Sequence, residues 1–137
     1  MFTVEIHATS HIGRVRKGNE DNYLVLNITG AKRWTGSQDD GEFIVESQSF
    51  EVDSNGVVIA VSDGMGGAAA GEIASAMTVG SLRQWLGDNH EGVGTHVLIK
   101  EAVEEANRNV FDAAQDTERR GMGATLTAVL VRGRMAH

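Results

Sequence analysis

The chain has 137 residues, 41% of them hydrophobic and 23% charged, with a net charge of −7. This size and balance describe one globular domain able to bury a core, and they exclude a disordered chain. The acidic excess argues against nucleic acid as a partner, the absence of cysteine excludes disulfides and a thiolate nucleophile, and no stretch approaches the ~20 apolar residues of a membrane span.

Phe2, Val4 and Ile6 alternate with Thr3, Glu5 and His7, the period of a half-buried strand. The same N-terminus lacks the basic start and apolar run of a signal peptide, so a cytoplasmic protein is expected. Residues 23–28 predict a second strand. The polar stretch 29–42, with Gly30, Gly36, Asp39, Asp40 and Gly41, reads as a loop. Residues 42–52 are strand-like, and Asn55-Gly56 predicts a tight hairpin turn into residues 57–61. That run is apolar on both faces, which predicts a strand covered on both sides. Residues 69–85 predict a helix packed on most sides and stopped at Gly87. A second helix is predicted over 95–114, with Ile99, Ala102, Val103, Ala106 and Val110 on its apolar stripe and Glu104–Arg108 paired on its exposed face. Residues 124–131 predict a last strand. Buried strands followed by helices point to an α+β fold of sheets covered by helices.

The chemistry-bearing residues are carboxylates beside strands. Glu20 and Asp21 lie in Asn19-Glu20-Asp21-Asn22, just before a strand, and Asp63 ends the buried strand and precedes Gly64-Met65-Gly66-Gly67. A strand end aims a carboxylate out of an apolar sheet, and the glycines after it let a ligand approach the backbone. Hard oxygen ligands of this kind suit magnesium or manganese. Arg16 precedes Asp21 by five residues, and its planar fork can hold two phosphate oxygens. Together these parts describe metal-assisted hydrolysis, in which two cations about 3.5–4 Å apart activate a water for attack on phosphorus. Singly, each part is ordinary: a polar turn, a glycine loop, a solvated arginine. The spaced set from Gly13 through Arg16, Asn19, Glu20 and Asp21 to Asp63-Gly64-Met65-Gly66-Gly67 and Gly71-Glu72 is not. His7 and His11 read as ordinary surface or edge residues, and His90, His96 and His137 carry no metal signature. Asp39, Asp40 and Asp53 lack the spacing of a calcium loop.

The segments Gly-Arg-Val-Arg-Lys-Gly-Asn-Glu-Asp and Val-Ser-Asp-Gly-Met-Gly-Gly-Ala-Ala-Ala-Gly-Glu-Ile-Ala-Ser resemble the first signature motifs of bacterial PPM (protein phosphatase type 2C) enzymes. Gly121-Met122-Gly123-Ala124-Thr125-Leu126 is similar to a later Gly-Thr-Thr-type segment, with Ala124 in place of a usual hydroxyl residue. The resemblance runs from Gly13 to the chain end. It implies an α-β-β-α sandwich of two antiparallel sheets flanked by helices, here incomplete. It implies hydrolysis of phosphoserine and phosphothreonine in proteins with two divalent cations, Mn2+ or Mg2+, as cofactors. By the same resemblance Asp63 bridges the metals, Gly64 binds one through its carbonyl, Glu20 and Asp21 bind directly or through water, and Arg16 contacts the phosphate. Phosphoproteins, including those of a cognate Ser/Thr kinase, are the implied partners.

Two departures accompany the resemblance. Met65 stands where some members carry a histidine proposed as general acid, and a thioether cannot donate a proton. The family's further aspartate ligands lie in a C-terminal half that begins about where this chain ends, so residues 1–137 read as the N-terminal part of one phosphatase domain. That part alone is expected to be inactive, to bind divalent metal weakly, and to self-associate through its last strand or pair with the missing half. The alternative reading is a truncated or degenerate module of the same fold that binds a phosphoprotein or partner domain without catalysis.

Overall fold

The computed structural model describes residues 2–29, 33–35 and 43–137. In chain order the elements are β1 (Thr3–Ser10), β2 (Asp21–Asn27), β3 (Arg33–Thr35), β4 (Phe43–Glu51), β5 (Val57–Met65), α1 (Ala68–Asn89), α2 (Thr95–Ala113), a short 3-10 turn at Thr117–Arg119, β6 (Gly123–Ala124), β7 (Thr127–Arg132) and β8 (Met135–Ala136). All strand pairs are antiparallel. They form a two-stranded sheet, β1-β4, and a larger sheet ordered β3-β2-β5-β7-β8, with β6 also on β5.

The sheets stack because β2 and β5 are apolar on both faces. On one face Leu24, Leu26, Val58, Ala60 and Leu130 pack against Val79, Leu82, Leu86, Leu98 and Ala102 of the helices. On the other, Tyr23, Val25 and Val57 pack against Ile6 and Phe50 of the small sheet. Alternation places successive strand side chains on opposite faces, so one apolar run serves two cores. The two antiparallel sheets and covering helices make the expected α+β fold. The second helix buries Leu98, Ala102, Ala106 and Val110, each one i+4 step from the last; Ala102, Ala106 and Val110 are on the expected stripe, but Leu98 joins it and Val103 is exposed instead.

Several local expectations are corrected. The stretch read as a loop contains β3, which pairs with β2 from Leu24 to Leu26; the expected loop positions Gly30, Gly36, Asp39, Asp40 and Gly41 lie outside the described residues. Asn55-Gly56 does not close a hairpin, because β4 pairs with β1 and β5 pairs with β2 and β7. The turn instead carries the chain from one sheet to the other. Gly56 has φ +96°, and a Cβ there would sit 2.6 Å from the Val131 carbonyl oxygen, so only glycine fits that corner. The first helix runs through Gly87 to Asn89, since its packing outweighs the roughly 1 kcal/mol penalty of one helical glycine. Val61 is 55% exposed, so the buried strand is uncovered at that end. Arg108 pairs with Glu105 rather than Glu104, whose partner is Lys100. The last strand is interrupted at Thr125 and Leu126 and ends in an unexpected hairpin with β8. Among the described residues, no helix is long and apolar enough to cross a membrane.

Candidate active site

The site forms where the β2 start and the β5 end meet. Asp21 and Asp63 are direct register partners across these strands, which brings two residues 42 positions apart in sequence to the same end of the sheet. Asn19 prepares Asp21 for this position. Its side chain is buried, donates to Ser10 Oγ at 2.7 Å and accepts from the Asp21 N–H at 3.1 Å. Asp63 is held from the far side by Thr125. The Thr125 N–H donates to the Asp63 carbonyl at 2.8 Å, and the Asp63 N–H donates to Thr125 Oγ1 at 3.0 Å.

Two clefts open beside Asp63. The first, of about 340 Å³, is lined by Ser10, His11, Asp21, Tyr23 and Thr125 as well as Asp63. The second, of about 540 Å³, is lined by Arg16, Lys17, Glu20 and the run Gly64 to Gly67 along with Asp63. Arg16 Nη1 contacts Glu20 Oε2 at 2.8 Å, and the Arg16 side chain is 69% exposed. An exposed pair of this kind holds an arginine loosely enough for it to turn to an anion. Gly64 lies near the end of β5, against the start of α1. A Cβ on it would fall 1.9 Å from the Gly71 carbonyl oxygen, and a Cβ on Gly71 would fall 3.0 Å from both the Gly64 carbonyl oxygen and the Glu20 side chain. These two glycines permit the helix to approach the strand end and Glu20 to lie over it. Met65 is exposed at the rim of the second cleft.

The electrostatics favour a cation. The Asp21 carboxyl is raised above its ordinary value, first by burial and then by the charge and hydrogen bond of Asp63, with Arg16 acting in the opposite direction. Two like charges held together by strand register lower their mutual repulsion when a divalent cation sits between them. The donors are the right kind, two carboxylates and the Gly64 carbonyl, for magnesium or manganese. Their number is small: among the described residues no group of three or more His, Cys, Asp or Glu side chains is close enough to hold a metal ion. Glu20 is turned to Arg16 instead of joining the pair. Burial pushes the Tyr23 phenol up to about 12, so it lines the first cleft as a neutral group.

Three further contributors have no site role assigned by the sequence. His11 lines the cleft and accepts the Gly13 N–H on Nδ1 at 2.9 Å, although its sequence context is that of an ordinary surface or edge residue. Asn19 was visible only as part of a motif, although an asparagine two residues before an aspartate is a known turn-former. Thr125 stands in the segment similar to the Gly-Thr-Thr-type motif, but its tie to Asp63, 62 residues away, has no local signal.

A family model described as protein phosphatase 2C matches residues 36–137. A putative protein phosphatase 2C-type protein of Streptococcus pyogenes is 38% identical over 74 residues, covering 53% of this chain and 30% of its own. The serine/threonine protein phosphatase PstP of Mycobacterium tuberculosis is 36% identical over 77 residues, covering 56% of this chain and 15% of its own. Among solved structures, the S. agalactiae serine/threonine phosphatase superposes with a TM-score of 0.65 at 25% identity, over 96% of this chain and 45% of that one. The PstP catalytic domain in complex with two manganese ions gives 0.61 at 27% identity, over 96% and 45%. The chain therefore spans less than half the length of these structures and a smaller share of the curated relatives.

Proposed function

The chain belongs to the protein phosphatase 2C family, and on that premise we propose that it carries the first half of the active site of a metal-dependent protein-serine/threonine phosphatase. The observation that carries this reading is the Asp21–Asp63 pair, set side by side by strand register with Arg16 at the mouth of the adjoining cleft. Asp63 and Asp21, with the Gly64 carbonyl, would hold Mn2+ or Mg2+. When bound, the cations supply an activated water and neutralise phosphoryl charge. Arg16 exchanges Glu20 for the substrate phosphate and orients it with its planar fork. Glu20 keeps Arg16 over the cleft between turnovers and would bind the cation directly or through water. Residues 1–137 are read as one part of a single phosphatase domain. The substrates are phosphoserine and phosphothreonine proteins, including those of a cognate kinase, met in the cytoplasm.

The test is hydrolysis of a phosphothreonine peptide by the longest natural form of the protein, with and without Mn2+. Metal-dependent release of phosphate is expected. A preparation that binds no divalent metal and releases no phosphate would overturn the reading.

A further inference from the structure

We propose that Thr125 is a positioning residue that fixes the Asp63 carboxylate beside Asp21, with Ser62 as the second leg of the same clamp. The proposal rests on the phosphatase reading above. It begins from an irregularity in the ladder. Val61 pairs with Thr127 and Gly64 pairs with Ala124 on one continuous register, which sets Asp63 directly opposite Thr125. At that pair the ladder is broken although the register is not. In a regular antiparallel ladder the Asp63 N–H would donate to the Thr125 carbonyl. Here it donates to the Thr125 hydroxyl at 3.0 Å, and the displaced carbonyl accepts from Ser62 Oγ at 2.8 Å. The remaining ladder bond, from the Thr125 N–H to the Asp63 carbonyl, is kept at 2.8 Å.

The substitution has a physical consequence. A carbonyl is rigidly part of its strand's pleat, whereas a hydroxyl turns about χ1. The strand can therefore bend away at Thr125 and Leu126, opening the cleft in front of Asp63, while every backbone group of that pair stays satisfied. Ser62 is buried, so its hydroxyl needs a partner, and the turned carbonyl provides it. Asp63 is thus gripped at both its N–H and its C=O by one residue, with Asp21 on its other side. A carboxylate that ligates metal depends on such support, since partners behind metal ligands typically change affinity by 10–100-fold when removed.

The experiment uses the longest natural form of the protein, with Mn2+ affinity measured by calorimetry. Thr125→Val keeps the shape and the backbone bond but removes the acceptor, and should weaken Mn2+ binding by about 10–100-fold. Thr125→Ser keeps the hydroxyl and should restore affinity to within about threefold of wild type, which a purely steric role for the side chain would not do. Thr127→Val, on the same strand but away from Asp63, should leave affinity unchanged. Faster amide exchange at Asp63 in Thr125→Val is the structural counterpart. Should Thr125→Val not fold, Ser62→Ala decides, with weakened binding expected and unchanged affinity overturning the clamp. Wild-type Mn2+ binding with Thr125→Val within twofold of it overturns this proposal alone. A wild type that binds no Mn2+ overturns the phosphatase reading and this proposal together.

Discussion

Asp63 and Asp21 repel each other in the metal-free chain, and under the proposed function the same juxtaposition that costs stability would make the pair a metal ligand. Asp63→Asn removes the repulsion without removing the side chain's volume. The metal-free protein should gain about 0.3–1 kcal/mol, a small figure because both groups face solvent that screens them, and Mn2+ affinity in the longest natural form should fall at least about 100-fold. Thermal denaturation in chelator and calorimetry with Mn2+ read the two effects, and unchanged affinity would remove Asp63 from the site. Arg16→Ala should separate from it. Arg16 touches Glu20 and not the carboxylate pair, so Mn2+ binding should stay within about threefold while kcat/KM for a phosphopeptide falls by about 100-fold, a loss of phosphate orientation. Steady-state kinetics beside calorimetry make the distinction.

Between strand and strand, the corner at residues 53–56 shows how one side chain joins two sheets. Asp53 Oδ1 accepts the N–H groups of Asn55 and Gly56, both at 2.8 Å, and its other oxygen accepts the Thr29 hydroxyl. Burial alone would raise the Asp53 carboxyl, but the hydrogen bonds from Thr29, Gly56 and Asn55 outweigh it and hold the group below its ordinary 3.8. A depressed folded-state pKa stabilises the fold above the unfolded value, and that stabilisation is lost as pH falls through the folded value. Asp53→Ala should therefore cost roughly 1 kcal/mol at neutral pH, discounted for solvent exposure. The gap from wild type should stay constant down to about pH 5 and narrow below about pH 4. Urea titrations of both proteins across that range check the sign; a gap that widens in acid would show that the carboxylate is not the stabilising form.

Across the whole molecule, one arginine of β7, Arg132, ties that strand to the helices and to the sheet-to-sheet corner. Arg132 donates to the carbonyls of Ser54 at 2.5 Å, Val93 at 2.8 Å and His90 at 3.4 Å, and to Thr95 Oγ1 at 3.3 Å. It joins the sheet-to-sheet corner, the end of α1 and the start of α2. Arg132→Ala should cost about 1.5–3 kcal/mol, the range for hydrogen bonds from a charged donor, and Arg132→Lys should recover less than half of it, because an ammonium cannot span a planar fork of acceptors. Equilibrium unfolding measures both. The candidate metal site has the opposite character: among the described residues, too few side chains converge on it. Residues 1–137 purified alone should bind Mn2+ only at about 10⁻⁴ M or weaker and show no metal-dependent turnover. Calorimetry and a phosphopeptide assay on that fragment test it, and micromolar affinity would show that the ligand set is larger than the pair described.

What the sequence determined by itself were the features written in local patterns. Alternation marks β1, short apolar runs mark β2 and β5, and the helical stripe marks α2, because side-chain period and burial follow from backbone geometry. The motif around Asn19-Glu20-Asp21 and the run after Asp63 marked the candidate ligands before any contact was known. The local preferences of Gly87 for a helix end and of Asn55-Gly56 for a hairpin are overridden by packing from distant segments. Tertiary structure alone decided that Asp21 and Asp63 share a register position, that Glu20 turns to Arg16, and that Thr125 replaces a ladder carbonyl with its hydroxyl. Those are pairings between residues far apart in the chain, and no local period encodes which strand lies beside which or where a ladder gives way.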